Sequence, residues 1–182
     1  MRDHGLAKAT SRLIAGTADV NLGAITYYFG SKDDLLAEAL FGELSARIEP
    51  VMATLEGNDP APGRLLRAVQ ELITEFERSA PDVPVYLNAL VHSTEPGPLA
   101  DRARTLLSDL HDRLAAVIAQ LKADGVIAGW VDPPVMASLL VATGNGIALQ
   151  TQLDPEGPSA AQLAAQLSGL LLAASTGRSG RG

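Results

Sequence analysis

The sequence predicts an all-α fold in which a short helix-turn-helix head is joined to an antiparallel helical bundle. Three observations carry this. Apolar residues recur every three to four positions, the spacing of one buried helix face, as in Leu36, Leu40, Leu44, Ile48, Met52 and Leu55. Clusters rich in Pro and Gly interrupt these stretches at 57–63, 81–84, 95–98 and 154–158. No segment alternates apolar and polar residues as a half-buried strand would, and neither an internal repeat nor a heptad array is evident.

The first nine residues are polar, and Asp3-His4-Gly5 reads as the exit of an earlier helix. Thr10 or Ser11 caps the next one, whose Leu13, Ile14 and Ala18 face inward. Asp19 and Asn21, both tolerant of left-handed geometry, form the turn, and Val20 between them plugs the angle. Leu22 to Phe29 is about two turns of helix, with Ile25 and Phe29 four apart on the inner face. Ala24, Thr26, Tyr27 and Tyr28 fall mostly outside that face. Small, hydroxyl and aromatic side chains suit a surface that meets sugar-phosphate and base edges. Gly30 ends this helix and Ser31 caps a long one, with Asp33 and Asp34 complementing its dipole and Lys32 within reach of a phosphate. Pro50 is expected to kink or end that helix locally.

Beyond the 57–63 loop, Leu65, Leu66, Val69, Leu72, Ile73 and Phe76 mark a helix, and Val85 to Ser93 a shorter one. Leu106, Leu107, Leu110, Leu114, Val117, Ile118 and Leu121 mark a long helix ending at Gly125. After the Val126–Asp132 connection, Pro133 or Pro134 opens a helix to about Gln152, in which Gly144 and Gly146 are each unfavourable by roughly 1 kcal/mol against Ala. Close approach of another helix would compensate. Leu163 to Ala174 is the last helix, and 176–182 is expected to be a flexible tail.

The chain has 182 residues, of which 47% are hydrophobic, enough for a sizeable core. It has no cysteine, which excludes disulfides, thiolate chemistry and the usual zinc clusters and fits a reducing, cytoplasmic setting. No transmembrane span and no signal peptide is expected, so no membrane association either. His92 and His111 are too isolated for a metal site, and no cofactor is called for. No GxSxG, phosphate-binding Gly loop or HExxH motif occurs, so no catalytic residue is assigned. The net charge of −7 weighs against a nucleic-acid partner, but residues 1–32 carry +2 and the rest −9. Backbone amides at helix starts add phosphate contacts that a charge count omits.

The stretch Val20-Asn21-Leu22-Gly23-Ala24-Ile25-Thr26-Tyr27-Tyr28-Phe29-Gly30-Ser31-Lys32 resembles the DNA-binding domain of TetR-family transcriptional regulators, most strongly over Ile14 to Leu36. The resemblance implies an all-α protein with a helix-turn-helix DNA-binding head, 1–40, and an antiparallel helical-bundle ligand-binding and dimerisation domain, 41–175. It implies a homodimeric repressor on a double-stranded DNA operator, released by a small-molecule effector. By position it implies base or phosphate contacts from Leu22, Gly23, Ala24, Thr26, Tyr27, Tyr28 and Lys32. Two departures stand out: Asp19 occupies a turn position that usually holds Gly, and only nine residues precede Thr10 where the family has its first helix. A start codon assigned too late, a shortened polypeptide or omitted residues would each account for this, and we favour a sequence that begins too late over a natural nine-residue lead.

Small residues on the last two helices, including Ala142, Gly144, Gly146, Ala161, Ala165 and Gly169, suit either intrachain packing or a four-helix dimer interface, and the resemblance favours the latter. A dimer spans two half-sites about 34–36 Å apart. The middle helices carry sparse polar residues among apolar stripes, as a small-molecule pocket does. Phe76, Asn88 and His111 are the expected lining residues. The effector would act by population shift, with the helix from Ser31 as the lever. The alternative is a dimeric helical small-molecule-binding protein without effective DNA binding.

Overall fold

The computed structural model describes residues 10–176, with the side chains of 171–176 excepted. Eight α-helices occur among the described residues: α1 Ser11–Thr17, α2 Gly23–Phe29, α3 Lys32–Glu56, α4 Ala61–Ser79, α5 Val83–His92, α6 Pro98–Ala123, α7 Pro133–Leu153 and α8 Ala160–Thr176. A 3₁₀ turn, Ala80–Asp82, joins α4 to α5. The expected helix exit at Asp3–Gly5 and the tail beyond Thr176 lie outside the described residues.

Helix boundaries follow local chemistry. The Thr10 hydroxyl accepts from the Leu13 N–H at 3.2 Å and opens α1. Asp132 does the same for α7 through the Val135 N–H at 3.1 Å, with proline in the first turn. Ser159 and Gln162 form a reciprocal capping box at α8, the Ser159 hydroxyl accepting from the Gln162 N–H and the Gln162 carbonyl from the Ser159 N–H. Gly125, at φ 71°, closes α6 while the Val126 N–H reaches back to the Leu121 carbonyl at 2.9 Å.

The chain packs as two compact units, Met1–Arg47 with Pro81–Leu107, and Ile48–Ala80 with Ser108–Gly182. The core of the first gathers Leu36 and Phe41 of α3, Ala89 of α5 and Ala103 of α6, with Ile14, Leu40, Leu44, Leu90, Leu99 and Leu106 packed around them. Arg47 donates to Asp82 at 2.8 Å and to Glu43 at 3.0 Å within this unit. In the second unit Ile118, Val131 and Ala137 form a core with Leu114, Ile127, Met136 and Leu140. The 126–132 connection folds back into it, and Lys122 donates to the Val131 carbonyl at 2.7 Å. α8 packs against α4 and α7.

The structure refines or overturns several expectations. α3 does not stop at Pro50 but continues to Glu56, because Val51 and Met52 immediately after the proline are buried. Among the described residues, nothing beyond the helix's own nearby backbone lies within 4 Å of where a β-carbon at Gly144 or Gly146 would stand, so the closely approaching helix is not found there. Phe29, expected inward, is 42% exposed, and Val20 is 48% exposed rather than plugging the turn. Ile25 alone is buried in α2, so one side chain suffices to seat so short a helix.

Candidate nucleic-acid interface

The head is set by its turn. Asp19 sits at φ 53°, the left-handed position that glycine would fill without a steric penalty. The Asn21 side-chain oxygen then accepts from the Gly23 N–H at 2.8 Å, an Asx turn that starts α2. The Ala24 N–H donates to the Asn21 carbonyl at 2.9 Å and the Ile25 N–H to that of Leu22 at 3.3 Å. The first three amides of α2 therefore have partners already, and contacts to an anion must come mainly from side chains.

Those side chains point outward. Tyr27 is 82% and Tyr28 74% exposed, with ring centroids 4.9 Å apart in an edge-to-face pair. Leu22, Gly23 and Thr26 are exposed, and Ala24 is half-buried beside Ile25. Lys32 is half-buried in the first turn of α3, 3.5 Å from Asp33. The structure thus places six of the seven expected DNA-contacting residues along α2 or at its start, and Lys32 just beyond its end.

Sequence reasoning missed an acidic border. Tyr28 and Phe29 form one edge of an open groove of about 600 Å³, whose other lining residues include Asp34, Glu38, Asp101 and Arg102. Arg102 lies 3.4 Å from Glu38 and offsets one of these carboxylates. The Ser31 hydroxyl donates to Asp34 and accepts from its N–H at 3.0 Å, so Asp34 serves the cap of α3. The signal was present in the sequence as acidic residues every four positions, Asp34 and Glu38, but their neighbours on α6 were not.

The expected pocket residues fall in different units. Phe76 and His111 are half-buried in the second, on α4 and α6. Asn88 belongs to the first, is exposed, and donates to the Pro84 carbonyl at 2.8 Å. Among the described residues no group of three or more His, Asp or Glu side chains could hold a metal, and no helix is long and apolar enough to cross a membrane.

Comparison with known proteins agrees with this geometry at both ends of the chain. Residues 1–39 match the family of bacterial regulatory proteins named for TetR, and residues 61–174 match the C-terminal domain of BetI-type transcriptional repressors. The HTH-type transcriptional regulator PksA of Bacillus subtilis is 23% identical over 154 residues, covering 84% of this chain and 73% of its own. A TetR-family regulator structure from Rhodococcus sp. superposes with a TM-score of 0.78 at 20% identity, covering 96% of this chain and 92% of the other. Thermus thermophilus FadR, a TetR-family repressor solved with lauroyl-CoA, gives 0.67 at 22% identity, covering 100% and 92%. Two matched regions, the turn geometry of the head and the shared all-helical fold converge: the chain belongs to the TetR family of DNA-binding transcriptional regulators.

Proposed function

We propose that the chain is a dimeric repressor, with residues 1–40 as the DNA-reading head, 41–175 as the effector-binding and dimerisation body, and 176–182 as a tail. The exposed Tyr27 and Tyr28 on a helix anchored only by Ile25 carry this reading. Two large aromatic side chains standing in water fit a surface that is covered in use. In this proposal Thr26, Tyr27 and Tyr28 meet base edges or sugar-phosphate, Leu22, Gly23 and Ala24 allow close approach of the helix start, and Lys32 takes a phosphate.

The dimer reading rests on α7. Val135, Leu139, Ala142, Gly146, Leu149 and Leu153 follow one another at alternating steps of four and three, and all six are exposed. That is the 3.5-residue period of a helix seam, with its smallest residues at the waist. Ala165, Gly169 and Leu170 add exposed small and apolar positions on α8, which packs beside α7. A second copy supplies the closely approaching helix that Gly146 lacks among the described residues.

For the effector, Phe76 and His111 are the proposed lining residues; Asn88, proposed with them, gives one amide hydrogen to the Pro84 carbonyl and keeps its second N–H and its oxygen for a ligand. The lauroyl-CoA of the Thermus protein makes an acyl thioester the first probe. No reaction is assigned to the chain.

The test is fluorescence anisotropy with the DNA upstream of the gene, at two salt concentrations, with and without lauroyl-CoA. Sequence-selective, steeply salt-dependent binding is expected, because neutralised phosphates release counterions. Binding that is absent, or indifferent to salt, would overturn the repressor reading in favour of a ligand-binding body without DNA activity.

A further inference from the structure

α3 carries a defect and a repair at the same place. Pro50 has no N–H, so the Ala46 carbonyl loses its partner in the helix ladder, and an interior proline typically costs about 3 kcal/mol. The helix nevertheless runs unbroken from Lys32 to Glu56. Burial of Val51 and Met52 holds one face. On another face stands Arg113 of α6. Its Nη1 and Nη2 donate to the two oxygens of Glu49 at 2.8 and 3.1 Å. Its Nε and Nη2 donate to the two oxygens of Glu56 at 2.7 and 2.9 Å.

Glu49 precedes Pro50 and Glu56 follows it, seven residues apart, so both lie on one face two turns from each other. A single guanidinium takes both by two forks, the geometry in which Arg–carboxylate pairing is strongest. Asp109 lies 3.9 Å from the same group. All four residues belong to the second compact unit. Hydrogen bonds from Arg113 hold the Glu49 and Glu56 carboxyls below the usual carboxylate range, so both stay charged at neutral pH. Without Arg113 the two carboxylates would repel each other across the weakest rung of the helix.

We propose that Arg113 is a positioning residue that splints α3 across Pro50, and that opening this clamp is the local event through which the body alters the DNA-reading residues. The second half of this proposal rests on the repressor reading above. α3 is the covalent carrier: its first residues belong to the head, and its last two turns are the clamped ones. The clamp is one side chain wide and partly exposed to water, at 27% for Arg113, so its contribution is small enough to be reversed by a bound molecule.

Hydrogen exchange read by mass spectrometry on the full chain tests the splint. Arg113→Met should speed exchange of the 51–56 amides by roughly five- to tenfold, with α7 and α8 unchanged, as expected for loss of a partly exposed network. Adding Pro50→Ala should restore protection, because the missing rung returns. The doubly neutral Glu49→Gln, Glu56→Gln chain keeps the fold by exposure and should reproduce the Arg113→Met pattern. Unchanged exchange at 51–56, acceleration spread evenly over α7 and α8, or no rescue by Pro50→Ala would each overturn the splint.

Anisotropy on the upstream DNA fragment tests the second half. Arg113→Met should weaken binding several-fold and Pro50→Ala should recover it; equal binding by all three chains overturns the regulatory role while the exchange data still decide the splint. Absence of binding by the unmodified chain overturns the repressor reading, and the regulatory role with it.

Discussion

The recognition helix α2 and the α7–α8 pair both expose large apolar side chains, but of different kinds. On α2 the most exposed are tyrosines, each ending in a hydroxyl and set edge-to-face against the other. On α7 they are Val135, Leu139, Leu149 and Leu153, which carry no polar atom and recur at a helix-seam period. An aromatic ring with a polar tip suits a partner that is itself wet and polar, while aliphatic rows at regular spacing suit another protein surface. In the proposed reading, the kind of exposed residue, rather than the amount, separates the nucleic-acid face from the self-association face.

The largest expected effect breaks the aliphatic side of this comparison. Leu139→Glu would bury a charge in the seam and should weaken self-association by at least about 100-fold. Sedimentation equilibrium reads this directly, and an unchanged dimer mass would show that α7 faces something else. Next is the aromatic side. Tyr27→Ala should reduce affinity for the upstream DNA by about 10- to 100-fold without altering the dimer mass. Lys32→Gln should cost less, uniformly across sequences, while lowering the salt slope by about one per bound head.

Glycine substitutions sharpen the comparison further by sign. Gly144→Ala enters open space and should stabilise the chain by about 1 kcal/mol in thermal unfolding. Gly146→Ala should instead lower the unfolding midpoint at concentrations where the dimer prevails, since its position lies on the seam. A rise for both would place Gly146 in water. The smallest effect belongs to the turn: Asp19→Gly relieves the left-handed strain and should add a few tenths to about 1 kcal/mol in urea unfolding.

The helices and most of their ends were legible in the sequence because caps and apolar spacing are local. Thr10, Ser31 and Gly125 act where their types and positions indicate. The left-handed Asp19 was likewise readable from the turn chemistry. Much of what escaped was non-local. Phe29 matches the inner-face spacing of Ile25, yet whether it is covered depends on residues distant in sequence. The α7 seam was hidden because two of its six members are Ala142 and Gly146, which register weakly as apolar. The Ser159–Gln162 box was present as a motif and went unread amid the neighbouring alanines. The Arg113 clamp joins positions more than 50 residues apart, at 57 and 64, and no local pattern announces such a pairing.

The first compact unit has a practical consequence for anyone building hybrid regulators. Its core draws Leu36 and Phe41 from one stretch of chain and Ala89, Leu90, Leu99 and Ala103 from another. A specificity transplant that carries only the first 40 residues would set donor side chains against the recipient's α5 and α6, and the mismatch would fall around Leu36. A graft that also carries 81–107 would move a matched set. In this packing the head's core and the 81–107 stretch constrain each other, so a substitution on one side is expected to call for a matched one on the other.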